Sequence, residues 1–91
     1  MASPASRVML HTRTPESLAD PEVRRNVVAA AHALGERMGV AVLEATAEPS
    51  ALHLAIEGPT LVATGFAAEL RRTTERWHTA RYGAALWRAG D

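Results

Sequence analysis

VAVLEATAEPSALHLAIE, residues 40–57, holds two apolar runs around a break. Val40 to Ala47 reads as a strand. Glu48-Pro49-Ser50 interrupts it, because proline has no backbone donor and fixes its own φ. Ala51 to Glu57 then alternates. Leu52, Leu54 and Ile56 fall on one face, and Ala51, His53, Ala55 and Glu57 on the other. Adjacent runs of this kind predict an antiparallel hairpin with one buried face.

Downstream, Gly58-Pro59-Thr60 closes the strand and opens a long helix. Val62, Phe66, Leu70, Thr73 and Trp77 form its predicted buried stripe, and it should end near Gly83. Gly65 inside it costs about 1 kcal/mol relative to alanine. Ala84 to Asp91 can begin another strand. Upstream, Asp20-Pro21-Glu22 is a helix start. Asp20 caps free amides, Pro21 suits the first helical position, and Glu22 complements the positive helix end. Val23, Val27, Ala30, Ala31, Leu34 and Met38 then share one stripe, and Gly39 is a natural C-cap. Residues 14–19 are a connector with Pro15. Before them, Val8, Leu10 and Thr12 alternate with Arg7, Met9, His11 and Arg13, as a strand with one buried face does. Residues 1–6 read as a flexible tail and 7–91 as a single domain.

The order strand, helix, strand, strand, helix predicts an α+β fold, βαββα and ferredoxin-like in character. Its simplest packing is a three-stranded antiparallel sheet with two helices on one face. The other face then carries His11, Arg13, His53 and Glu57. A small sheet with a bare face and open edges invites a partner, and a homodimer is the simplest one.

Composition narrows the functional classes. A chain of 91 residues buries a modest core, and a partner subunit would add to its stability. Without cysteine there is no disulfide, thiolate metal site or cysteine nucleophile. The apolar run near the start, Val8 to Leu10, is too short for a signal peptide, and no stretch approaches a bilayer span. The expectation is a cytoplasmic protein with no membrane partner. The formal net charge is zero, which counts against strong non-specific nucleic-acid binding. The charges are nevertheless uneven. Residues 41–59 hold Glu44, Glu48 and Glu57 and no base, whereas residues 60–91 hold Arg71, Arg72, Arg76, Arg81 and Arg88 against Glu69, Glu75 and Asp91. No Gly-rich phosphate loop, nucleophile elbow or helical His pair at zinc spacing is present.

The stretch from Glu48 to Glu57 resembles the signature strand of HUH single-strand DNA transposases, particularly the REP-associated tyrosine transposases. That strand reads Pro, then Asn or Asp, then His-hydrophobic-His. Its two histidines share one face and hold a divalent metal, which polarises the scissile phosphate while a tyrosine attacks. Here Pro49 matches the proline, Ser50 stands where Asn or Asp is usual, Ala51 replaces the first histidine and His53 keeps the second. The resemblance covers nearly the whole chain. RVMLHTRT at 7–14 is similar to the family's first strand. The helix at 20–39 and the following GVAVLEATAEPSALHLAIEG match its order and spacing. ELRRTTERWHTARYGAALWRAGD at 69–91 is similar to its second helix and the RYG…LW segment. The family's nucleophilic tyrosine lies on a later helix, beyond that segment. Tyr82, the one tyrosine of this sequence, matches RYG instead.

The resemblance therefore implies a degenerate, C-terminally truncated transposase-like domain with no catalytic residue assigned and weak affinity for single-stranded or hairpin DNA. His53 is the remnant metal ligand, or a surface or interface histidine. His11, if the first and third strands pair, can neighbour His53 and replace the missing ligand for a divalent metal. Arg71, Arg72, Arg76 and Arg81 can grip phosphates, or form a solvated helix face. Trp77 belongs to the core, Trp87 is freer to serve an interface, and His32 and His78 have no assigned role. The alternative function is a dimerising interaction or regulatory module with no DNA role.

Overall fold

The computed structural model describes residues 4–89. Its elements are β1 (Ala5–His11), α1 (Pro21–Met38), β2 (Val42–Glu48), β3 (Ala51–Glu57) and α2 (Thr60–Tyr82), with a 3-10 turn at Ser17–Ala19. The strands form one antiparallel sheet in the order β1-β3-β2. This is the βαββα, ferredoxin-like layout that the sequence predicts.

The central strand is the most apolar one, and its burial explains its place. Leu52, Leu54 and Ile56 of β3 are fully enclosed. They meet Val23, Val27, Ala31 and Leu34 of α1 and Ala63, Phe66, Ala67 and Leu70 of α2 in one core cluster. Both helices thus cover the same sheet face. Leu18, in the 3-10 turn, seals one end, and its amide donates to the Pro49 carbonyl at 2.9 Å.

β2 changes face through a bulge. Val42 pairs with Ile56 and Glu44 with Ala55, leaving Leu43 as the extra residue. The shift lets Val42, Ala45 and Ala47 all pack against the core although their numbering changes parity. The turn is tighter than the sequence suggests, because Glu48 still pairs with Ala51 and only Pro49 and Ser50 lie between them. β1 also starts earlier than its alternation implies. Ala5 and Ser6, read as tail, pair with Glu57 and Ile56, while residues 1–3 of that tail lie outside the described residues.

α1 starts and stops where its sequence says. The Asp20 carboxylate accepts from the Glu22 amide at 2.9 Å, and Gly39 adopts the left-handed conformation at φ 70°. Met38, expected in the stripe, is exposed, since Gly39 turns the chain away one residue later. α2 departs more. Its buried residues are Ala63, Phe66, Ala67, Leu70, Thr74 and His78, whereas Val62 and Thr73 are exposed and Trp77 is half-buried. The stripe rotates because the segment after α2 folds back onto Thr74 and His78. The Trp87 indole donates to Thr74 Oγ1 at 2.8 Å, and His78 Nδ1 meets the Ala84 carbonyl at 2.7 Å. Trp87 is therefore not a free interface residue. It is 2% exposed, with Leu86 enclosed beside it.

That segment also touches the sheet. Thr12 and Trp87 form an antiparallel bridge. The Arg13 amide donates to the Leu86 carbonyl and the Arg88 amide to the His11 carbonyl, both at 2.9 Å. A short piece of further strand thus begins beyond α2, at the outer edge of β1. No helix among the described residues is long and apolar enough to cross a membrane.

Candidate nucleic-acid interface

The sheet face away from the helices is organised in rows that the strand register fixes. Arg7, Ala55 and Glu44 lie side by side, then Met9, His53 and Thr46, then His11, Ala51 and Glu48. Arg7 reaches Glu44 across the central strand at 3.5 Å, beside Ala55, and both Ala55 and Ala51 are buried although they lie on this face.

His53 and His11 share this face on adjacent strands, but they stand diagonally. Met9 is opposite His53, and Ala51 is opposite His11. The position where the transposase-like pattern would place its first histidine therefore faces the His11 imidazole. His53 itself is engaged by Glu48, with Nε2 to Oε2 at 2.5 Å. The Nη2 of Arg88 lies 3.5 Å from His11 Nδ1. Among the described residues, no group of three or more His, Asp or Glu side chains is placed to hold a metal ion.

The helix arginines are largely committed within the chain. Arg71 donates to the Arg88 carbonyl and Arg72 to the Glu69 carboxylate. Arg81 pairs with Glu22 at 2.8 Å, tying the end of α2 to the start of α1. Arg72 holds the Glu69 carboxyl below the usual carboxylate range, chiefly through their hydrogen bond. The Arg81 guanidinium is raised by the Tyr82 hydroxyl first and the Glu22 charge second. Arg76 is exposed. Tyr82 stands edge-on to Trp77, with ring centroids 6.0 Å apart, and tilted against His78 at 4.8 Å.

A different basic cluster forms at one corner of the sheet. His11, Thr12, Arg13, Thr14, Pro15, Ser50 and Arg88 line a concavity of about 340 Å³. The lining carries guanidinium, imidazole and hydroxyl groups. The two backbone bonds between residues 11–13 and 86–88 hold its walls together. Arg71 buttresses it from α2 through the Arg88 carbonyl. Sequence reading placed Arg13 beside His11 on the open face but did not bring Arg88 to them. Only the fold-back at Trp87 does that, and its signal was the strand-like character of residues 84–91.

No protein-family model matches this sequence, and comparison with curated proteins gives no match.

Proposed function

We propose that this chain is a non-catalytic, HUH-transposase-like module that binds single-stranded or hairpin DNA weakly, through phosphates. The observation that carries the reading is the corner where His11, Arg13 and Arg88 converge among the hydroxyls of Thr12, Thr14 and Ser50. Phosphate binding needs clustered cations and hydrogen-bond donors. The corner supplies them although the net charge is zero. The non-catalytic part rests on Ala51 opposite His11 and on the engagement of His53 by Glu48. A divalent metal on His53 and His11 would have to displace Glu48 or recruit it, and calorimetry with manganese tests that directly.

Fluorescence anisotropy with single-stranded and hairpin oligonucleotides, across a salt series, tests the DNA reading. Arg13→Ala and Arg88→Ala should each flatten the log-log salt slope by about 0.7 on single strands, one phosphate contact apiece. Arg81→Ala, which removes a guanidinium already paired with Glu22, should leave the slope unchanged. No binding at low salt would sink the reading.

A second reading, a dimerising module without a DNA role, is favoured by an apolar patch between the helices. Met38, Leu61 and Val62 are exposed there around a recess that reaches Leu34, Gly65 and Phe66. Arg37 and Glu69 also line it, so a two-fold axis would set unlike charges against each other. Sedimentation of the wild-type chain and Leu61→Glu distinguishes it: a dimer that the substitution dissociates supports this reading.

A further inference from the structure

We propose that the outward face of α1 is a contact between two copies of this chain, packed antiparallel about a two-fold axis that passes between Ala29 and Ala33. Arg25, Ala29, Ala33 and Glu36 share one side of the helix, because their spacing follows its turns. All four are exposed, on the side away from the buried Val23, Val27, Ala31 and Leu34. A surface helix ordinarily turns charged and polar residues outward along its length. Here the middle of the face is alanine, and the charges stand at its two ends.

The charges name the occupant. Arg25 and Glu36 are unlike in sign and have no ion pair or side-chain hydrogen bond among the described residues. Roughly three helical turns separate them, too far to pair within one chain. In an antiparallel copy the order is reversed. Arg25 then meets Glu36 of the second copy, Ala29 meets Ala33, and symmetry repeats both contacts. A parallel copy would set Arg25 against Arg25 and Glu36 against Glu36, so the charges choose the direction as well as the partner. The alanines between them let the two helix backbones approach closely.

The groove beside this face fits the same arrangement. α1 and α2 run antiparallel, since Arg81 near the end of α2 pairs with Glu22 at the start of α1. Between the helices, Ala29, Ala30 and Ala33 stand across from Thr73 and the half-buried Trp77 around about 310 Å³. Asn26 lines the groove beside Trp77, at the end of α1 where the reversed helix brings Arg37 of the second copy. Arg37 is exposed and lies on the α2 side of its own helix. Its stem can enter the groove and set its guanidinium against the indole. The inference goes beyond the DNA reading, which uses a corner of the sheet. It is centred on Ala29 and Ala33, not on the patch of Met38, Leu61 and Val62.

Sedimentation equilibrium of the full chain from about 1 µM to about 1 mM tests this, with tryptophan emission read on the same samples. The wild-type chain should self-associate, and its emission should change with concentration as Trp77 is covered. Arg25→Glu and Glu36→Arg should each weaken association about tenfold or more, since each sets like charges together at both ends of the contact. Both positions are exposed, so circular dichroism should be unchanged. Mixed in equal amounts, the two variants should associate again, because the mixed pair has an attractive contact at each end. Leu61→Glu should leave association unchanged, whereas a dimer through the Met38–Leu61–Val62 patch would lose it. The proposal is overturned by any of four results: a monomer at about 1 mM, association untouched by Arg25→Glu, no association of the mixed variants, or dissociation by Leu61→Glu.

Discussion

Two glycines inside helices make opposite predictions, and space decides the sign. A methyl group added at Gly65 would meet nothing within 4 Å, and the residue is exposed in mid-helix. Gly65→Ala should therefore raise stability by about 1 kcal/mol, read as an increase in the urea midpoint at constant slope. At Gly35 the same methyl would lie 2.7 Å from Val42 Cγ2 and 2.8 Å from the Val40 carbonyl oxygen. The valine can rotate, but the carbonyl is backbone and cannot give way cheaply. Gly35→Ala should cost about 1–3 kcal/mol, despite the helix-propensity gain that alanine brings. Equal midpoints for the two variants would contradict the close packing of α1 on β2. The same scale separates what could be read at residues 51 and 53 from what could not. Strand periodicity put Ala51 and His53 on one face. That Ala51 faces His11, and that Glu48 holds His53, depends on a register and a two-residue turn that the residues 48–50 do not specify alone.

One carboxylate takes two amides of the segment beyond α2, which is also paired with residues 11–13. Glu75 accepts from the Leu86 amide at 2.7 Å and from the Trp87 amide at 3.3 Å, and Thr74 accepts from the Trp87 indole. Glu75→Ala leaves those amides without a partner and should cost about 1.5–3 kcal/mol, as for bonds to a charged group. In a Trp77→Phe background only Trp87 reports, and its emission should shift to the red as it enters water. An unchanged emission maximum would mean that the backbone pairing with residues 11–13, the Thr74 bond and the packing of Leu86 secure the segment without Glu75. This element also explains where sequence reading of α2 failed. Phe66 and Leu70 belong to both the predicted stripe and the buried one, so the middle of the helix was legible. Toward its end, apolarity favoured Trp77, but the buried positions are Thr74 and His78. Their polar atoms are satisfied by Trp87, Leu70 and Ala84, partners that helical spacing cannot show. The start of α1 lay at the other extreme. Its cap, its proline and its terminal glycine are local devices, and local devices can be read from sequence. β2 was intermediate: it read as a strand, but the bulge at Leu43, which carries its apolar residues across a change of parity, is set by the partner strand.

At the scale of the whole molecule, a two-layer domain this small concentrates its stability in the one strand with neighbours on both sides. β1 and β2 are edges, and β3 lies between them with Leu52, Leu54 and Ile56 enclosed beneath the helices. Domains of this size are typically stable by about 5–15 kcal/mol. Leu54→Ala should remove about 2–5 kcal/mol of that, a transfer loss plus a cavity that flanking strands and helices cannot fill. At the ratio expected for such sizes, the thermal midpoint should fall by about 10 °C or more. Amides of β3 should accordingly exchange only through global opening, while the outward groups of β1 and β2 exchange through local fraying. Leu61 is the control that ties stability to assembly. It is 83% exposed, so in a monomer Leu61→Ala should change stability by no more than about 0.5 kcal/mol. Differential scanning calorimetry at two protein concentrations decides the matter. If the Leu61 variant loses as much as the Leu54 variant, and the wild-type midpoint rises with concentration, a second copy covers the Met38–Leu61–Val62 patch and the dimer reading gains over the DNA one. If Leu61→Ala is silent and the midpoint is independent of concentration, the core under β3 sustains the fold without a second copy, and the dimer reading loses its support.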